Sequence, residues 1–237
     1  FLVWDDILKY RLSLKKYSLH SKIILAATPV LLVGGAIGYF VFEQNYTLRG
    51  NGIGEQILKS FFASTTMRTA GFNTIDYASM SPSASLLSDV LMMIGGSPGS
   101  TAGGMKITTI TLVFLSMVSM LRGQSDTVIG KRRLSTMLIK QAAVIILVYA
   151  VYILTGTMLI CHIEGLPMSN VLFEVTSAVC TVGVTTGITP HLCALSHIIL
   201  IILMYGGRIG GFTLMLVLGQ QNKQPPIRRP KENILIG

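Results

Sequence analysis

Two stretches of the sequence decide the fold: FFASTTMRTAGFNT at residues 61–74 and FEVTSAVCTVGVTT at residues 173–186. At an offset of 112 residues, Phe61 falls on Phe173, Gly71 on Gly183 and Thr74 on Thr186. Further along the chain, MIGG at residues 93–96 falls on MYGG at residues 204–207. Similarity at a long fixed period indicates two copies of one structural unit.

The composition is that of an integral membrane protein. Of the 237 residues, 51% are hydrophobic and 12% are charged, and the mean hydropathy is +0.63. Runs that can cross a hydrocarbon layer of ~30 Å as helices of about 20 residues occur at 23–42, 138–160 and 198–218. A fourth run, 86–121, is interrupted by GGSPGSTAGGMK at residues 95–106. We predict an all-α membrane protein in which the second span of each repeat is broken by glycines.

Each repeat also contains a segment too short to cross the membrane. These segments, 54–67 and 169–180, would be ~20 Å long as helices at about 1.5 Å per residue. Because both flanking spans lead to the same side, we expect the segments to enter the membrane and return. Non-helical backbone at that depth requires a protein cover or a watery cavity, and a ring of backbone carbonyls there favours a dehydrated cation. An outer loop with a helical cap is the alternative.

The positive charge is concentrated in three segments. The formal net charge is +9, and most of the 19 basic residues lie in or near residues 9–16, 122–140 and 223–231. Four crossings place all three segments on one side, which the positive-inside rule identifies as the cytoplasm. We therefore expect cytoplasmic N- and C-termini and contacts with membrane lipids, and no nucleic acid partner.

Nothing in the sequence indicates an enzyme or a transition-metal site. Cys161, Cys180 and Cys193 have no metal-ligand spacing, and the four histidines are scattered. Ten acidic residues provide no evident catalytic pair, and no Ser/His/Asp arrangement stands out. The first residue is Phe1 rather than Met, so we expect that a preceding part is missing.

Four motifs resemble the Trk/Ktr/HKT superfamily of cation transporters, and most of all the membrane subunit of bacterial Ktr potassium systems. They are TTMRTAGFNTIDYASMSPSA at 65–84, GGSPGSTAGGMKITT at 95–109, TSAVCTVGVTTGITP at 176–190 and YGGRIGGFT at 205–213. The resemblance runs over almost the whole chain. It implies a potassium-channel-like array of helix, pore helix, filter turn and helix, of which this chain supplies the third and fourth of four repeats. The implied function is potassium uptake, passive or sodium-coupled, through the bacterial plasma membrane.

The resemblance also implies which residues form the filter. The family's filter glycines fall on Gly71 and Gly183, and the backbone carbonyls that face potassium fall on Thr69, Ala70, Thr181 and Val182. Potassium bound at these positions is the transported ion, and no cofactor is implied for this chain.

The glycine-rich interruption matches the family's intramembrane gate loop, residues 95–104. Its predicted gating residues, together with an arginine of the last span that would contact the loop, are Gly95, Gly96, Pro98, Gly99, Gly103, Gly104 and Arg208. A phosphate-binding loop is the first alternative, but Met105 stands where that motif requires lysine. A simple helix kink is the second, although six glycines and prolines within ten residues exceed what a kink needs.

Three further charges accompany these motifs. We expect Arg68 to brace the filter, Glu174 to supply a buried anion to a nearby donor, and Lys106 to be either solvated or in the vestibule. The predicted organisation is a cytoplasmic segment (1–20), a first repeat (21–121), a linker (122–134), a second repeat (135–219) and a cytoplasmic tail (220–237).

The resemblance implies two protein partners: a second copy in a homodimer and a cytosolic ring of nucleotide-binding regulatory subunits. A membrane-embedded enzyme or receptor that uses the broken helices as a ligand site is the alternative function.

Overall fold

The computed structural model describes residues 2–11, 13–124, 126–129 and 132–219. The predicted tail, residues 220–237, and its basic residues lie outside the described residues.

The secondary structure of the described residues is mainly helical. Their α-helices are α1 (Leu2–Tyr10), α2 (Leu19–Glu43), α3 (Ile53–Thr66), α4 (Pro82–Met93), α5 (Ile107–Leu121), α6 (Thr136–Glu164), α7 (Met168–Val179) and α8 (Ala194–Gly219). Single 3-10 turns occur at Leu14–Lys16, Tyr77–Ser79 and Thr189–His191. The linker forms a small antiparallel hairpin of β1 (Val128–Ile129) and β2 (Arg132–Arg133), a local exception to the all-α prediction.

The long helices begin at serine caps. The Ser18 hydroxyl accepts from the Ser21 N–H at the start of α2, and the Ser135 hydroxyl accepts from the Met137 N–H at the start of α6. A capping hydroxyl satisfies one of the amide groups that a first turn leaves unpaired. Helices α2 and α6 are each long and apolar enough to cross a membrane, and α5 and α8 contain shorter apolar stretches.

The two short segments are helices that end inside the protein. Helix α3 has 14 residues and α7 has 12, so they extend about 21 Å and 18 Å. Helix α7 is central: it packs against α4, α6 and α8, and Phe173, Val175 and Val179 have no exposed surface. The expected short segments are therefore present, and the second is enclosed by the longer helices.

The last span is not broken. Helix α8 continues from Ala194 to Gly219 through the glycines that were predicted to interrupt it, so the prediction of two broken inner helices is wrong for the second repeat. Gly207 of this helix serves close packing instead. A Cβ atom on Gly207 would lie 1.7 Å from the Val179 carbonyl oxygen at the end of α7. Only glycine lets the two backbones approach to this distance.

Candidate ion site and glycine loop

Each short helix is followed by a turn with left-handed backbone. Thr69 has φ +70° and Gly71 has φ +77°; at the matching positions Thr181 has φ +52° and Gly183 has φ +92°. Threonine is rarely found in this conformation, because its branched side chain crowds the backbone. The alignment of the repeats identified these residues, but nothing in it indicated that the threonines are left-handed. Residues 69–71 and 181–183 are called the first and second filter turns below.

The fold brings the two filter turns together. A Cβ atom on Gly71 would lie 2.3 Å from the Val182 carbonyl oxygen and 3.8 Å from the Gly183 Cα. A Cβ atom on Gly183, in contrast, would meet nothing within 4 Å. The two turns predicted from the resemblance thus lie against each other, and the contact between them is made through the first glycine.

A hydroxyl near the end of each short helix holds the chain that follows its turn. The Thr66 hydroxyl donates to the Phe72 carbonyl and accepts from the Phe72 N–H, both at 2.7 Å. The Ser177 hydroxyl donates to the Val184 carbonyl at 2.6 Å and accepts from the Gly183 N–H at 3.2 Å. Sequence reasoning missed both residues. Thr66 and Ser177 lie one position out of register when the two repeats are aligned, so the alignment does not pair them.

The second filter turn has an additional support. Glu174 is buried, and its carboxylate accepts hydrogen bonds from the chain that leaves the turn. The donors are the Thr185 hydroxyl, the Thr186 N–H at 2.9 Å, the Thr186 hydroxyl at 3.2 Å and the Thr189 hydroxyl at 2.8 Å. The expected buried anion is therefore present, and its donors are hydroxyls and an amide. Phe62 occupies the corresponding position of the first repeat, which has no such carboxylate.

The glycine-rich stretch is a closed loop between α4 and α5. Residues 94–106, called the glycine loop below, are not helical, which excludes a simple kink. Backbone hydrogen bonds fasten its base: the Gly95 N–H donates to the Met105 carbonyl at 2.8 Å, and the Met105 N–H donates to the Met93 carbonyl at 3.1 Å. The loop is therefore a defined structure whose base is satisfied by its own backbone.

The glycine loop packs directly against the second filter turn. A Cβ atom on Gly103 would lie 2.0 Å from the Thr181 hydroxyl oxygen and 2.5 Å from the Cys180 carbonyl oxygen. Gly104 has φ +68°. At the other side of the base, a Cβ atom on Gly95 would lie 2.0 Å from the Gly103 carbonyl oxygen. Two of the predicted gate glycines, Gly95 and Gly103, are thus required for close contact, and Gly104 provides a left-handed backbone.

The remaining predicted residues of the loop lie away from this contact. Gly96 and Pro98 are half-buried, whereas Gly99 is exposed with φ +83° and open space around it. Pro98 also lines a small cavity beside α1 and α2.

Three cationic side chains donate to carbonyls of the glycine loop. Arg208 of α8 donates to the Thr101 carbonyl at 2.5 Å, and Lys106 donates to the carbonyls of Ala102 and Ser100. Arg68 donates to the Gly95 carbonyl at 3.3 Å. The expectation that Arg68 braces the filter is therefore corrected: its guanidinium reaches past its own turn to the loop base.

The described residues contain no group of three or more His, Cys, Asp or Glu side chains that could hold a metal ion. The candidate ligands of the two filter turns are backbone carbonyls, which suit a dehydrated cation, and the hydroxyls of Thr66 and Ser177 support these turns.

Comparison with known proteins agrees with this arrangement. The family described as TrkH, cation transport protein, matches residues 21–225. The chain is 36% identical over its full length to the potassium/sodium uptake protein NtpJ of Enterococcus hirae and 33% identical to the Ktr system potassium uptake protein B of Bacillus subtilis. It covers 54% and 53% of these proteins. The chain thus spans about half the length of the curated relatives that it matches.

A solved structure shows the same fold. The crystal structure of the potassium transporter TrkH from Vibrio parahaemolyticus superposes with a TM-score of 0.71 and 20% sequence identity, covering 91% of this chain and 48% of that one. Taken with the two filter turns and the glycine loop, these similarities establish that the chain is a membrane protein that belongs to the TrkH family of cation transport proteins.

Proposed function

We propose that this chain forms half of a four-repeat pore through which potassium ions cross a bacterial plasma membrane. One observation carries the proposal: two matching left-handed turns, each at the C-terminal end of a short helix, are held side by side by a glycine-to-carbonyl contact. The negative end of a helix dipole favours a cation, and a turn of carbonyls replaces the water that the ion loses.

In this proposal the backbone carbonyls of Thr69, Ala70, Thr181 and Val182 bind the ion. Gly71 and Gly183 permit the backbone angles that direct these carbonyls to the pore. Ala70 and Val182 differ between the repeats, which is compatible with a backbone ligand because side-chain identity does not change the carbonyl. The support from Thr66, Ser177 and Glu174 keeps the turns in place without contacting the ion.

The glycine loop is proposed as the gate. It adjoins the second filter turn, and its Thr101 carbonyl accepts from Arg208 of α8, so its position is stabilised by a charge-assisted hydrogen bond to another element. Displacement of the loop would break that bond and clear the space below the filter. Arg208 has a second effect in this scheme, because its positive charge repels a cation in the path.

The names of the relatives support the choice of ion. NtpJ is described as a potassium/sodium uptake protein and the Bacillus protein as a potassium uptake protein of the Ktr system. Transport by this protein is proposed to be passive or sodium-coupled. The relatives are named as transport proteins, so they do not support the alternative of a membrane-embedded enzyme or receptor.

The same resemblance suggests orientation and partners. The basic residues of segments 122–140 and 223–231 would face the cytoplasm by the positive-inside rule, where a regulatory ring of nucleotide-binding subunits would dock on a homodimer. Anionic lipid headgroups would also attract these residues. Co-purification with and without residues 220–237 separates the two: retention of the ring with a loss of liposome affinity would assign the tail to lipid.

Ion flux in vesicles tests the proposed function. Full-length protein in potassium-loaded vesicles should release potassium, and Gly71→Ala should abolish the flux, because its Cβ would strike the Val182 carbonyl. Gly52→Ala is the matched control, since Gly52 has φ −66° and open space around it. Absence of potassium flux from correctly folded full-length protein, or equal flux from the two variants, would refute the proposal.

A further inference from the structure

A groove lies between α2 and α5, at the end of these helices where Lys15, Lys16 and Arg132 are found. Its volume is about 970 Å³, at the upper end of the roughly 300–1,000 Å³ of small-molecule sites. It is separate from the filter turns, and none of the proposed ion ligands lines it.

The walls of the groove are two apolar helix faces. On α2 they include Ala26, Ala27 and Val30, and on α5 they include Ile110 and Phe114. Residues spaced three and four apart lie on one face of a helix, so each wall is a continuous stripe. The alanines leave the space that a larger side chain would fill. Phe114 and Val30 are 57% and 70% exposed, so the described residues do not cover the groove.

The rim of the groove is basic. Lys15 and Lys16 of the 3-10 turn, Lys22 at the start of α2 and Arg132 of β2 all line it. Lys22 donates to the Lys15 carbonyl at 2.7 Å, which fixes the turn against α2. Among the described residues that line the groove, none is acidic. The rim therefore attracts an anion, while the walls favour hydrocarbon.

We propose that this groove binds an acidic phospholipid, with its phosphate at the basic rim and an acyl chain between α2 and α5. This combination matches the two chemical parts of such a lipid. Each Lys or Arg close to an anionic membrane surface strengthens the electrostatic attraction to its headgroups, and the apolar walls bury the hydrocarbon of the acyl chain. The inference requires only that the chain lies in a bilayer, so it does not depend on which ion the pore carries.

The lipid would contact the base of the glycine loop. The inner end of the groove is formed by Ile94, where the loop begins, and Ile107, where α5 begins. A chain bound here packs on both ends of the loop at once. Membrane composition would thereby affect the stability of the loop base without any contact with the filter.

Tryptophan quenching by brominated lipids tests the proposal in the full-length protein. The probe is Phe114→Trp in a Trp4→Phe background, and its signal is the fluorescence added relative to that background alone. In vesicles, phosphatidylglycerol with brominated acyl chains should quench the probe at a mole fraction roughly fivefold lower than brominated phosphatidylcholine. Leu115→Trp, on the same helix and half-buried, serves as a second probe if the first variant does not fold.

Two controls determine what the quenching means. Lys15→Ala, Lys16→Ala and Arg132→Ala together should remove the preference for phosphatidylglycerol, whereas Arg122→Ala with Lys140→Ala, which removes exposed charges outside the groove, should retain it. A probe at the exposed Leu138 on α6 should be quenched equally by both lipids.

Two results would overturn the proposal. Equal quenching of the groove probe by both lipids would mean ordinary boundary lipid. Protection of the groove probe from both lipids, while the Leu138→Trp probe is quenched, would mean that a second copy or another part of the full-length protein fills the groove.

Discussion

The second halves of the two repeats have similar glycine-rich sequences and different structures. In the first repeat the inner helix stops at Met93 and resumes at Ile107, with the glycine loop between. In the second repeat α8 is continuous through Gly206 and Gly207. Gly103 of the loop and Gly207 of the helix nevertheless make the same kind of contact. Each allows its backbone to pack against the end of α7 or the turn that follows it.

The difference shows that glycine permits close approach without dictating a break. The interruption has further features that α8 lacks: Pro98, which has no backbone donor, and a base closed by the Gly95 and Met105 hydrogen bonds. Lys106 and Arg68 satisfy loop carbonyls that a helix would have paired internally. A broken helix therefore needs partners for its exposed carbonyls as well as glycines.

The largest effect is expected from Gly207→Val. Its Cβ would lie 1.7 Å from the Val179 carbonyl oxygen, so α8 could not remain against α7 and potassium uptake should fall to background. Gly34→Val makes the same change in α2, at a glycine with nothing within 4 Å, and should retain most uptake. Both are measured in a potassium-uptake-deficient bacterial strain at matched expression. Normal uptake by Gly207→Val would show that this close contact is dispensable.

The unequal support of the two filter turns is tested by Glu174→Ala and Thr66→Val. Loss of the buried carboxylate leaves several donors unpaired and should lower the unfolding free energy by about 3 kcal/mol. Loss of the Thr66 hydroxyl should cost about 1 kcal/mol. Denaturant unfolding of purified protein in detergent measures both. Equal destabilisation would contradict a special dependence of the second turn on Glu174.

Displacement of the glycine loop should raise basal potassium flux. Arg208→Ala removes a charged donor to the Thr101 carbonyl, worth about 1.5–3 kcal/mol, and a shift of this size raises the open fraction roughly tenfold while the closed state still dominates. Deletion of residues 97–101 should have a similar effect without a change in charge, because it retains the base of the loop and Lys106.

Arg208→Lys separates charge from hydrogen-bond geometry, since it keeps the positive charge but not the guanidinium. Flux is compared in vesicles at equal protein content. A loop deletion that folds but conducts no faster than the parent would show that the loop is not a gate and that its glycines serve packing alone.

The smallest effect is expected from Gly183→Ser, which should reduce the preference for potassium over sodium by a few fold. The site has room for the side chain, so the change acts through the left-handed φ of +92°, which serine adopts with strain. Gly187→Ser is the matched control: φ is +93°, the space is open, and the residue lies outside the filter turn. Ion competition in uptake assays gives the comparison. If the Gly183→Ser variant shows the same competition between potassium and sodium as the parent, this glycine does not determine selectivity.

The sequence by itself determined the long apolar helices, the two short helices and the positions of both filter turns. Hydrophobic run length fixes a span because the bilayer thickness is fixed, and repetition at one period located the turns without any structural information. The interruption of the first inner helix was also predictable, because Pro98 and the crowded glycines disfavour a helix locally.

Only the tertiary structure decided what the glycines, the charges and the hydroxyls contact. Gly207 of the continuous α8 fits against the Val179 carbonyl, and the Arg68 guanidinium donates to the Gly95 carbonyl of the glycine loop. The groove between α2 and α5 brings together Lys15 and Arg132, which are far apart in the chain. Such contacts join residues distant in sequence, so they follow from the packing of the helices and not from any local pattern.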